Sequence, residues 1–190
     1  MLLTAAGWAD GRPGAAAQAA GYGYGQRGAP AAGDDGQRVV AQARADIRPL
    51  GASNVQGQAR FVERQDGRVR IEVEAAGLTR GAHGIHVHAV GDCASPQAPG
   101  GHFDPAGTNR HGHPGEPPDR HHAGDLPNIF ASASGDASLT WETGNLSVSP
   151  GPRSVVGRAI VIHASPDDYQ TDPAGGSGER IACGVITAGK

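Results

Sequence analysis

No run of 18 apolar residues occurs anywhere in the 190-residue chain, so no segment reads as a membrane span. Basic residues form no cluster and the formal net charge is −3, which argues against nucleic acid as a partner. Cysteine is confined to Cys93 and Cys183. The opening residues Met1-Leu2-Leu3-Thr4-Ala5-Ala6 are too short an apolar stretch for a secretion signal and lack a basic start, so no export signal is evident. A helical bundle is disfavoured as well. Apolar residues make up 37% of the chain, and 31 glycines with 14 prolines favour short strands and long loops.

Composition divides the chain in two. Residues 1–38 carry Ala15-Ala16-Ala17, Gly21-Tyr22-Gly23-Tyr24-Gly25 and few apolar anchors, and read as a flexible low-complexity segment outside the core. Residues 39–190 have the length of a single domain. Strand patterns lie near 42–50, 55–64, 67–75, 83–90, 128–134, 137–143, 154–162 and 181–187. Glu72 and Glu74 alternate with Ile71 and Val73, as on a half-buried antiparallel strand. The fold class expected is all-β: an eight-stranded antiparallel flattened barrel or sandwich with Greek-key connections.

Histidine and aspartate carry the chemistry. His86-Val87-His88 lies in a strand pattern, where side chains two apart share a face, so both imidazoles can reach one ion. The stretch from Gly91 to Asp125 is too long for an ordinary connection. It supplies His102, His111, His122 and Asp125, three imidazoles and a carboxylate that can close a tetrahedral zinc site with no open position. A closed site holds a loop rather than performing catalysis. A further strand pattern, Ser154 to His163, ends on a histidine that can return to the first pair. Three imidazoles plus a fourth shared with a neighbouring ion form the all-nitrogen tetragonal set that suits Cu(II).

These residues resemble the copper-zinc superoxide dismutases. The matching segments are Gly84-Ile85-His86-Val87-His88 through Gly91-Asp92, Gly101-His102-Phe103-Asp104-Pro105, His111-Gly112, His122-Ala123-Gly124-Asp125-Leu126, Gly157-Arg158 through His163, and Arg180-Ile181-Ala182-Cys183-Gly184-Val185-Ile186. Weaker similarity reaches upstream to Val55-Gln56-Gly57, so the resemblance spans roughly residues 40–188.

The resemblance implies one copper and one zinc ion per chain. Copper falls to His86, His88, His102 and His163, and zinc to His102, His111, His122 and Asp125, with His102 shared. His121 adjoins His122 and could replace it, but His122 keeps the family's spacing to Asp125. His83 and His113 match no ligand position and are expected to face solvent. Asp167 stands where the family has a carboxylate bonded to one histidine of each metal; Asp168 beside it is the alternative. Arg180 matches the arginine that attracts and positions superoxide, a role suited to a fixed, permanently charged guanidinium. Cys93 and Cys183 match the halves of an intramolecular disulfide. Closing a loop of about 90 residues would stabilise by roughly 4 to 5 kcal/mol in the chain-entropy model. Such a bond implies a periplasmic or extracellular setting.

Two features depart from the family pattern. The step from His102 to His111 is one residue longer than in the common eukaryotic form, and the segment Tyr169–Glu179, where many relatives carry steering charges, has no lysine. The activity implied is dismutation of superoxide to dioxygen and hydrogen peroxide by copper cycling, with His102 and Arg180 as its catalytic residues. A non-catalytic chaperone or store of copper and zinc on the same fold is the alternative. It would usually lack a copper ligand or the arginine. A zinc hydrolase would need an open zinc position. The partner implied is superoxide itself, and a homodimer is left open because family members dimerise through different surfaces.

Overall fold

A computed structural model describes residues 37–189. Residues 1–36, most of the expected low-complexity segment, lie outside the described residues.

Ten strands and no helix make up the described chain: β1 (Val39–Pro49), β2 (Gln56–Arg64), β3 (Val69–Ala76), β4 (Gly81–His83), β5 (Ile85–His88), β6 (Ile129–Ala131), β7 (Ala137–Thr143), β8 (Ala159–His163), β9 (Arg180–Val185) and β10 (Thr187–Ala188). Hydrogen-bonded neighbours run β4-β6-β7-β3-β2-β1-β9-β8-β5, with β10 added beside β1. Every pairing is antiparallel. The two ends of this path, β4 and β5, are consecutive in the chain and separated by Gly84 alone. The sheet therefore curls into a nearly closed barrel, whose β1–β9 and β3–β7 pairings are the long-range Greek-key connections.

Each of the eight expected strands has a counterpart, and the larger number comes from divided runs. At Gly84 the run expected over 83–90 changes partner, from β6 on one side to β8 on the other. Ile186 likewise separates β9, which lies between β8 and β1, from β10, which pairs with β1 alone. The run expected from residue 154 starts only at Ala159, because Gly157 takes a positive φ of 80° and residues 154–158 turn beside the connection after β7.

Alternation decides what lies inside. Val69, Ile71, Val73 and Ala75 of β3 are buried, while Glu74 between them is exposed. Phe61, Ile71, Ile85, Val87, Ile129, Ile160 and Ile162 meet in one apolar core. Strand β8 is buried on both faces. Its Ile160 and Ile162 enter that core, whereas Ala159 and Val161 pack with Leu50 and Cys183 in a smaller cluster outside it.

The loop after β5 covers that strand's second edge. The amide of Val87 donates to the Gly124 carbonyl, the Phe103 amide to Val87, and the Ala89 amide to Gly101. These bonds set His102 across from His88 and Asp125 across from His86. Gly124 is required for this approach, since a Cβ there would collide with the Val87 carbonyl and press on the Phe103 amide. Arg158 holds the loop from outside, its guanidinium 4.5 Å from the centre of the Phe103 ring and bonded to the Ala89 carbonyl.

Candidate metal centre

Strand β5 carries His86 and His88 on the face opposite Ile85 and Val87, and the covering loop buries both imidazoles completely. His163 arrives at the end of the adjacent strand β8, and His102 on the loop segment bonded to β5. One ligand atom from each of His86, His88, His102 and His163 can be chosen so that all lie within 4.8 Å of one another. The same holds for His102, His111, His122 and Asp125, so His102 belongs to both groups.

Hydrogen bonds decide which nitrogen each ring presents. His86 Nε2 donates to Asp167 Oδ2 at 2.8 Å, His88 Nδ1 to the Gly100 carbonyl at 3.0 Å, and His163 Nδ1 to the Gly178 carbonyl at 3.4 Å. His102 Nδ1 lies 2.7 Å from Asp125 Oδ1. The opposite atoms, His86 Nδ1, His88 Nε2, His102 Nε2 and His163 Nε2, are buried and have no hydrogen-bond partner. Polar atoms in such a place cost free energy unless paired. Four of them converging from four neutral rings fit a cation that accepts nitrogen ligands.

The second group is built around a carboxylate. The Nδ1 atoms of His102, His111 and His122 stand 2.7, 3.2 and 3.4 Å from Asp125 Oδ1. Asp125 Oδ2 accepts the His122 amide at 2.9 Å, which fixes the carboxylate's orientation. Three imidazole nitrogens and one oxygen are the donor set of a closed zinc site.

Protonation follows burial and charge. Burial pushes His88 down to about 2, His163 to about 3 and His102 to about 4, with neighbouring histidines adding to the effect, and it lowers His86 as well. These rings are therefore neutral near pH 7, the form that ligates metal. His111 goes the other way: burial pulls it down, but the Asp125 carboxylate 3.2 Å from its Nδ1 and the hydrogen bond to Asp167 prevail and raise it to about 10. In burial alone Asp125 and Asp167 would rise, yet bonds from the surrounding histidines hold both well below the usual carboxylate range. The zinc-type group thus concentrates negative charge that a cation can replace protons in neutralising.

Asp167 lies between the two groups. Its Oδ2 accepts from His86 and its Oδ1 from His111 Nε2, each at 2.8 Å. Gly175, at φ 63°, comes so close that a Cβ there would overlap the Asp167 carboxylate. Asp168 is exposed and instead caps a turn, accepting the amides of Gln170 and Thr171.

Arg180, at the start of β9, is half-buried and bound by both arms: Nη1 donates to the Pro96 carbonyl at 2.8 Å and Nη2 to the Gly100 carbonyl at 2.6 Å. Gly100 therefore accepts from both Arg180 and His88. Cys93 and Cys183 form a disulfide that ties the loop to β9 beside this arginine.

One expectation is overturned. His83 does not face solvent but is only 2% exposed, with Nδ1 2.8 Å from the His163 carbonyl and Nε2 2.8 Å from that of Thr79. The turn at Gly84 directs it inward, against the backbone of His163. His113 is exposed as expected, its ring edge-on to Tyr169. His121 is buried but turns away from both groups, donating from Nδ1 to the His122 carbonyl.

Several contributors carry no signal in the chain read alone. Asn128 brackets Asp167 with two hydrogen bonds, and Asp172 accepts the His111 amide at 2.8 Å. Both belong to loops whose conformation only the tertiary contacts define.

Comparison with known proteins agrees with this geometry. Residues 55–186 match the family model described as copper/zinc superoxide dismutase. The chain is 42% identical over 168 residues to the Cu-Zn superoxide dismutase of Deinococcus radiodurans, covering 83% of this chain and 89% of that protein. It is 42% identical over 125 residues to the corresponding enzyme of Caulobacter vibrioides, covering 62% of this chain and 71% of that one. Among solved structures it resembles a crystal structure of the clock protein EA4, with a TM-score of 0.69 and 34% identity over 77% of this chain and 94% of the other.

Proposed function

Because the chain belongs to the copper/zinc superoxide dismutase family, we propose that His86, His88, His102 and His163 hold its copper, and that His102, His111, His122 and Asp125 hold its zinc. The reaction is the family's: two superoxide anions and two protons become dioxygen and hydrogen peroxide. Four buried ring nitrogens without partners, converging from three separate chain segments, carry the residue assignment. Copper, when bound, supplies the one-electron couple that accepts an electron from one superoxide and returns it to the next.

The protein's own groups do the rest. Arg180 attracts the anion and orients it, because two backbone carbonyls immobilise its guanidinium while its charge is retained. Gly100, accepting from both Arg180 and His88, keeps that guide in register with a copper-binding ring. His102 would take up one of the two protons at Nε2 and give it up again within the cycle, its Nδ1 turned to the zinc group, 2.7 Å from Asp125 Oδ1. Asp167 keeps protons on His86 Nε2 and His111 Nε2, so that the Nδ1 atoms remain available to metal.

The disulfide and the bacterial relatives support a periplasmic or extracellular location. Among the described residues no helix is long and apolar enough to cross a membrane.

Metal analysis of the reconstituted protein beside a superoxide-consumption assay tests the assignment. One copper and one zinc per chain are expected, with His163→Ala losing copper and activity while keeping zinc. Zinc filling both sites, with copper never above background, would overturn it.

A further inference from the structure

Tyr169 follows the bridging carboxylate by two residues and adopts a left-handed backbone, φ 59°. A bulky side chain rarely takes that conformation, which persists only where surrounding bonds over-determine it. Here they do. Asp168 caps the turn through the amides of Gln170 and Thr171, its own amide donates to the Gly175 carbonyl, and the Gly175 amide donates back to Thr171.

The strained turn delivers two groups. The Tyr169 amide donates to Asp167 Oδ1 at 2.7 Å, the oxygen that also accepts from His111. The phenol reaches the opposite side of the loop, where its oxygen accepts the Asn128 amide at 2.7 Å. Asn128 in turn grips Asp167 at both ends of its backbone: its Oδ1 accepts the Asp167 amide at 2.8 Å and its Nδ2 donates to the Asp167 carbonyl at 2.9 Å. The ring is half-buried and meets His113 edge-on, with centroids 4.7 Å apart, so it also touches the loop that carries His111.

We propose that Tyr169 is the positioning residue for the carboxylate joining the two metal sites: its amide aims Asp167 directly, and its hydroxyl does so through Asn128. It makes no hydrogen bond to either metal-binding group, and its effect on both runs through one side chain. The proposal rests on the reading of Asp167 given above. Loss of the Tyr169 hydroxyl should therefore loosen copper and zinc together.

The test uses the copper- and zinc-loaded protein, with release of each metal to a chelator followed by elemental analysis. A second sample carries cobalt(II) in place of zinc, and its visible spectrum reports ligand geometry. Asp167→Asn is the reference. Removing a residue bonded directly to metal ligands typically costs roughly 10- to 100-fold in metal affinity. Tyr169→Phe, which keeps ring and backbone, should speed release of both metals by about three- to tenfold, a smaller effect in the same direction. It should also shift the cobalt spectrum in the sense that Asp167→Asn does. Tyr169→Gly adopts the turn without strain and keeps the amide, yet lacks the hydroxyl, and should release both metals at least as fast as Tyr169→Phe.

Wild-type release and an unchanged cobalt spectrum in both tyrosine variants, with Asp167→Asn altered, would overturn the role of Tyr169. If Asp167→Asn itself behaved as wild type, the reading of Asp167 would fail instead. Faster unfolding of the metal-free protein with an unchanged cobalt spectrum would reduce Tyr169 to a structural residue and also overturn the proposal.

Discussion

At the residue scale, the role proposed for Arg180 separates binding of the anion from binding of the metals. Its guanidinium donates to two backbone carbonyls and to no histidine ring, so its charge is available without its being a ligand. Arg180→Ala should leave copper and zinc content unchanged while lowering the rate roughly tenfold, since electrostatic steering contributes at least that much at a focused site. Steering between exposed charges is screened by salt. The wild-type rate, measured by superoxide consumption across a salt series, should thus fall more steeply than that of the variant. Full activity with an identical salt response would make Arg180 purely structural. The adjacent aspartates show what residue-level reading can and cannot resolve. The family resemblance placed Asp167 ahead of Asp168, but the difference between a buried carboxylate joining two histidines and an exposed turn cap lies in the surroundings.

At the scale of elements, a carboxylate fastens the loop after β7 to the barrel. Glu63 on β2 is buried, and its Oε2 accepts the amides of Val148 and Ser149 at 2.9 and 2.6 Å. Burial alone would raise its pKa, but the Ser149 and Val148 donors, with Arg153 nearby, lower it on balance. A carboxylate whose folded pKa is depressed stabilises the fold above its unfolded pKa, near 4.3. That contribution disappears as pH falls through the lower, folded value. Glu63→Gln should consequently lower stability at pH 7 by about 1 kcal/mol, the part due to charge-assisted bonding. Denaturant unfolding should show the gap between variant and wild type closing below about pH 4. A pH-independent gap would assign the loss to packing instead. Strand boundaries show the same dependence on context. Periodicity located the runs at 83–90 and 154–162, yet the break at Gly84 and the late start at Ala159 follow from which neighbour each segment meets.

At the scale of the molecule, the bond between Cys93 and Cys183 links segments 90 residues apart and joins the loop over the metal centre to β9. Pro96 and Gly100 lie on that loop, so the tether also holds the two carbonyls that fix Arg180. Removing such a bond typically costs about 2 to 5 kcal/mol. The Cys93→Ser/Cys183→Ser variant should melt at lower temperature and lose activity beyond any loss of metal, as its arginine is less firmly held. Alkylation followed by mass measurement should find two thiols only after reduction. Two reactive thiols in the oxidised protein would remove the argument for an oxidising compartment.

The chain by itself determined the type of fold, through alternation along strands such as β3, and a short set of candidate metal ligands, because imidazole and carboxylate chemistry together with the family resemblance narrows the choice to a few residues. The inward turn of His83 was not legible, since a histidine outside a ligand pattern is buried or exposed according to the backbone that reaches it. Nor were the grip of Asn128 on Asp167 and its bond to the Tyr169 hydroxyl, which exist only once residues about 40 positions apart are brought together. Hydrogen-bond partners decide which nitrogen each ring offers, and those partners are supplied by the folded loops. Side-chain chemistry is a local property and can be read along the chain, whereas orientation, protonation and the coupling of the two sites depend on distance and solvent exclusion that only the tertiary structure creates.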